Sequence, residues 1–198
     1  MKPHSPAARA LAVLLFAGIF AAGPNAWAAD AATPASSPAT ALAQAPAANV
    51  EPVFANFVLA ADGQENLVEP TAAALAKLQQ AHPNDVVLMA YAGSATAMQA
   101  KTTFLPWKKM KFADDGLALL DKSLALLTPA HTAPAYRGTP AVLDVKLVAA
   151  NTFLALPGFF NRKERGLKLL AEVAASPLLK TAPAAFQAAV AGAQQRVK

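Results

Sequence analysis

Three stretches of the chain set leucine and alanine at helical spacing and close on a proline: residues 72–83, 116–129 and 166–177. In the second, Leu117, Leu120, Leu124 and Leu127 fall three and four residues apart, the period of one helix face. The closing prolines, Pro83, Pro129 and Pro177, lie 46 and 48 residues apart. Recurrence at such a period is the signature of stacked helical hairpins.

The segments between complete a series of helices. An element from Pro52 to Ala61 puts Phe54, Phe57, Val58 and Ala61 on one face and stops at Asp62-Gly63. The next, from about Val68 to His82, carries Pro70 in its first turn and lines one face with Leu75, Leu78 and Ala81 or His82. Asp85 is placed to cap a helix running from Val86 to about Thr103. The middle of that helix is made of small residues around Gly93, which costs about 1 kcal/mol relative to alanine unless a close helix contact offsets it. Pro106 predicts an interruption over 104–112, with a new helix starting at Asp114-Asp115. Beyond a loop at 129–138, Thr139-Pro140 predicts the start of a helix with Val142, Val145, Ala149, Thr152 and Leu156 on one face. Helices over 163–175 and about 184–196 follow; the last, with its stripe of Phe186, Val190, Ala193 and Val197, is suited to capping an open stack. No strand alternation runs over a useful length, so the expected class is all-α.

Gly116, Leu120, Ser123 and Pro129, and again Gly166, Leu170, Val173 and Pro177, follow a pattern of small residue, large residue, small residue and terminal proline. Ala74, Leu78, Ala81 and Pro83 keep its outline, and Tyr91, Gly93, Ala149 and Phe153 echo the pattern of the preceding helices. Over 68–177 the chain thereby resembles the tetratricopeptide repeat (TPR) superfamily. The resemblance implies a TPR-like stack of antiparallel helical hairpins with a C-terminal capping helix, a curved scaffold whose concave face binds a peptide or protein. The spacing departs from that family's period of about 34 residues, and 104–112 reads as an insertion between the helices of the second hairpin.

The N-terminus adds a compartment. Lys2 and Arg9, an apolar run over 10–22, a Gly23-Pro24 break and Ala26-Trp27-Ala28 make the three parts of a secretory signal peptide, 1–28. Cleavage near Ala28 implies a periplasmic or secreted protein. Residues 29–50, rich in alanine and proline, hold few large apolar side chains, Leu42 among them, too few to offset ordering, and read as a disordered linker. The folded domain is then 51–198. There is no cysteine, which fits an exported bacterial protein held by its core and removes thiolate metal sites and cysteine nucleophiles. Without Lys2 and Arg9, fifteen basic residues face twelve acidic ones, a net charge of +3 that demands no polyanion; no nucleic-acid partner is expected.

Candidate chemistry is sparse. His82 and His131 lie at a turn and in a loop, Ser94 lacks the glycines of a nucleophile elbow, and no phosphate loop or zinc motif occurs. Asp114 and Asp115 suit a helix start better than an acid–base pair. The chain reads as a non-enzyme without cofactor or metal. Two clusters pair cations with aromatics: Trp107, Lys108, Lys109 and Lys111; and Arg162, Lys163 and Arg165 after Phe159-Phe160. Either they are docking surfaces, or the aromatics fill the core and the cations are simply solvated. The first alternative makes the protein a non-catalytic periplasmic adaptor for a protein partner, or else a peripheral binder of anionic membrane or envelope polymer.

Overall fold

A computed structural model describes residues 50–197. The expected signal peptide and all but the last residue of the expected linker lie outside the described residues. Among the described residues seven α-helices follow one another: α1 (Glu51–Ala61), α2 (Val68–Ala81), α3 (Val86–Thr102), α4 (Pro106–Ala125), α5 (Ala141–Ala155), α6 (Lys163–Ala175) and α7 (Ala184–Gln195). Among the described residues there is no strand, only an isolated bridge between Pro134 and Pro140, and the class is all-α.

Helix α3 is the centre. It is buried nearly all round, from Val86 to Ala95, and packs against α2, α4 and α5. Asp85 caps it as expected, Oδ1 accepting the Val87 and Leu88 amides at 2.9 and 3.0 Å. Gly93 meets α4 at a glycine-to-glycine crossing: a Cβ on Gly116 would stand 2.5 Å from the Gly93 carbonyl oxygen. The small middle of α3 therefore serves a close helix contact, which offsets what Gly93 costs.

Facing residues set the directions. Gly93 lies against Leu119 and Leu120 while Ala97 lies against Gly116, so α3 and α4 are antiparallel. Lys146 pairs with Glu172 at 2.7 Å while Ala150 and Phe153 approach Gly166, so α5 and α6 are antiparallel too. Tyr91 bonds Asp144 and Ser94 bonds Thr152, so α3 and α5 run parallel. Two hairpins thus stand side by side with like ends together. α1 and α2 pack onto α3 at one side, and α7 closes the other against α6. Gly116, Leu120 and Ser123 on α4, and Gly166, Leu170 and Val173 on α6, are all buried.

Several sequence expectations shift. α4 starts at Pro106, eight residues before Asp114, because proline occupies N1, where its missing N–H and fixed φ do no harm. Residues 106–112 are therefore helix, not an interruption. α1 buries Phe54, Phe57 and Ala60, whereas Val58 is exposed. α2 buries Val68, Thr71, Ala72 and Leu75 instead of a face ending at Ala81. The N-cap of α5 is Pro140 rather than Thr139. Val197 lies exposed beyond α7, and Val50, just ahead of α1, is buried in the core.

Candidate functional site

The shared level of Ser94 and Thr152 measures how far each hairpin reaches. From Thr152, α5 continues only to Ala155, about 5 Å of helix, whereas α3 continues from Ser94 to Thr102, about 12 Å. α4 reaches further: Gly116 is level with Ala97, and ten more residues lead back to Pro106, about 15 Å. The α3–α4 hairpin thus overhangs its neighbour by about 10 Å. Its connector, Thr103 to Leu105, is bounded by extended residues at both ends.

Among the described residues the side chains of this overhang are bare. Phe104 is 94% exposed, Trp107 67% and Met110 44%, with Leu105 exposed beside them. Lys109 and Met110 stand seven residues before Gly116 and Leu117, which are buried; they continue the inner face of α4 past the end of its partner. Lys101, Lys108, Lys109 and Lys111 surround the apolar group, and only Lys111 has an ion pair among the described residues, with Asp115 at 2.7 Å. No Asp or Glu occurs between Val86 and Ala113. Trp107, Lys108, Lys109 and Lys111 form one exposed, acid-free tip. Phe104 and Trp107 are not core, and Phe112 is only half-buried.

The second cluster is different. Arg162 grips the Asp121 carboxylate with both guanidinium nitrogens, at 3.2 and 2.9 Å, and Arg165 bonds the same carboxylate. Both guanidinium groups lie over the Phe153 ring, at 5.5 and 5.3 Å. They fasten α4 to α6, although Arg165 stays exposed, and Lys163 is exposed with no ion pair among the described residues. Asp121 lies fourteen residues along α4 from Trp107, about 20 Å, so the structure does not unite the two clusters. Phe159, 67% exposed, tops the shorter α5–α6 hairpin at the same end of the molecule as the tip.

A polar clasp built on the buried Tyr91, Tyr136 and Asp144 escaped the sequence reading. Arg137, at φ 54°, lays its guanidinium over Phe54 (4.4 Å) and reaches Asp144 Oδ2 at 3.2 Å, touching the Tyr91 hydroxyl on the way. Tyr91 donates to Asp144 Oδ1 at 2.9 Å, and Tyr136 donates to Asp85 Oδ2 at 2.7 Å. Burial, then the Asp144 charge, pushes the Tyr91 phenol far above its ordinary range. Burial and the hydrogen bond to Asp85 do the same to Tyr136. Burial also raises the Asp144 carboxyl, with the Arg137 charge pulling it back down. Each of these groups is engaged by its neighbours, so the clasp holds the 129–140 loop to α1, α3 and α5. A lone aspartate within Ala-Val-Leu-Asp-Val-Lys-Leu-Val, 141–148, was the readable signal of it.

The remaining polar candidates do not converge. His131 is buried and accepts the Thr128 amide on Nδ1 at 2.9 Å. Asp114 and Asp115 sit on α4 roughly 20 Å along the stack from the level of His82. Among the described residues no group of three His, Cys, Asp or Glu is arranged to hold a metal ion, and no helix is long and apolar enough to cross a membrane. No family model, curated protein or solved structure matches the chain.

Proposed function

We propose that this protein is a non-catalytic adaptor of the bacterial periplasm, acting by contact, with the overhanging tip of α3–α4 as its contact surface. One observation carries the reading: two bare aromatic side chains, Phe104 and Trp107, are gathered on the α3–α4 overhang among lysines of which only Lys111 has an ion pair among the described residues. A solvated hairpin end has no need of them, whereas aromatic side chains set to project are what anchor interfaces. The pairs Tyr91–Asp144, Tyr136–Asp85 and Arg162–Asp121 support the same reading from the other side, since each ties one element of the body to another. The stacked hairpins and the TPR resemblance supply a rigid mount, and the leader read from the sequence supplies the compartment.

A photoreactive phenylalanine analogue in place of Trp107 tests this in intact cells, with the same analogue at exposed Gln80, near the opposite end, as control. Adducts, to protein or to lipid, are expected at 107 and not at 80. Labelling at 107 no greater than at 80 removes the tip as the contact surface.

A further inference from the structure

Granting that the tip is the contact surface, we infer that what it contacts is an anionic bilayer: Phe104 and Trp107 enter the boundary between headgroups and acyl chains while Lys101, Lys108 and Lys109 lie among the lipid phosphates.

Shape is the first ground. The tip is a convex prong standing about 10 Å clear of the neighbouring hairpin, the depth to which interfacial apolar groups sink, about 5–10 Å. A prong of this kind suits a deformable surface. Two clefts of the body, one between α6 and α7 about Ser176 and Gln187 and another about Leu127, Val142 and Leu169, take in no tip residue. The second ground is charge. The run from Val86 to Ala113 has no acid, and the first acids beyond it, Asp114 and Asp115, lie down the helix toward the body. Asp115 occupies Lys111, which leaves three lysines around the apolar group with no ion pair among the described residues.

Residue type is the third. Protein interfaces are enriched in arginine and depleted of lysine, yet here the arginines, Arg162 and Arg165, are withdrawn onto Asp121 and the tip cations are all lysine. Anionic lipid surfaces attract lysine and arginine alike, at about 1 kcal/mol per cation, and tryptophan prefers the membrane–water interface. Phe159, on the lower hairpin at the same end, comes to the headgroup surface as the tip sinks.

The chain contains its own probe. Of its two tryptophans, Trp27 lies in the leader and Trp107 in the tip. In exported protein recovered from the envelope and carrying Trp27→Phe, all tryptophan emission comes from position 107 whether or not the leader is retained. Phosphatidylglycerol–phosphatidylcholine vesicles at low salt are expected to shift that emission to the blue and to shield it from acrylamide. Phosphatidylcholine vesicles leave it unchanged, and added salt reverses the shift. Lys101→Gln, Lys108→Gln and Lys109→Gln together weaken binding about 100-fold, roughly fivefold for each lysine; Phe104→Ala weakens it about tenfold. All four side chains are exposed, so these variants keep the fold. Emission that stays at its aqueous position with anionic vesicles overturns the inference, as does equal affinity for neutral and anionic vesicles or no loss in the triple variant. A protein adduct at 107 without any vesicle shift assigns the tip to a protein partner: it refutes the lipid reading while the contact reading stands.

Discussion

Glycine does opposite things at two positions of this protein. At Gly116 an added Cβ meets backbone on the facing helix, 2.5 Å from the Gly93 oxygen and 2.7 Å from the Ala97 nitrogen. Neither can move without shifting α3. Gly116→Ala is expected to cost about 3 kcal/mol in overpacking against about 1 kcal/mol returned by helix propensity. The net loss, about 2 kcal/mol, lowers Tm by roughly 6 °C. Gly192 on α7 has nothing nearer its missing Cβ than the Arg196 guanidinium at 3.9 Å, so Gly192→Ala is expected to stabilise by about 0.5–1 kcal/mol. Thermal melts of the pair check both signs, and a neutral Gly116→Ala contradicts the tight crossing. Arg137 shows a different economy. A non-glycine residue at φ 54° carries backbone strain of order 1–2 kcal/mol, and the clasp over Phe54 and Asp144 holds it there.

At the scale of helices, the overhang separates contact from stability. The large side chains at the start of α4 and in the connector before it are already in water, so removing them takes away little. Phe104→Ala with Trp107→Ala is expected to change unfolding free energy by less than about 0.5 kcal/mol while abolishing the contact at the tip. Urea midpoints measured beside vesicle binding separate the two; a drop of several kcal/mol places these aromatics in the fold instead. The same element shows what sequence can and cannot disclose. Helices α3, α6 and α7 were legible nearly to the residue, because Asp85, Pro177 and Pro183 punctuate them and their apolar positions keep helical period. The start of α4 was not, since Pro106 reads as a breaker unless one knows that it is the first residue of the helix. The exposure of Trp107 depends on where α5 ends, at Ala155, forty-eight residues on, and no local pattern carries that. The assignment of Arg162 and Arg165 likewise waited on Asp121, forty-one and forty-four residues distant.

The clasp acts on the whole molecule. Tyr91 and Tyr136, the chain's two tyrosines, join α1, α3, α5 and the 129–140 loop through one connected group. Burial raises both phenols above the ordinary value of 10.0, so the folded state holds these protons more tightly than the unfolded chain does. Their stabilising contribution is complete below pH about 10 and is lost as pH rises above it. Absorbance at the phenolate band is therefore expected to show no tyrosine ionising near its ordinary pKa in the folded protein. Both are expected to ionise together, at higher pH, in step with the loss of helical circular dichroism. A phenol titrating near pH 10 with the helices intact shows that the clasp is open to water. The glycine crossing has a further consequence at this scale. With no side chain able to enter between Gly93 and Gly116, the two helices are pinned there as by a dowel, and neither can slide along the other. Everything beyond the pin is a free length: whole heptads added to both helices between the pin and Thr103-Leu105 lengthen the prong and leave the body as it is. The reach of this protein is thus a dimension that mutation can adjust independently of the fold.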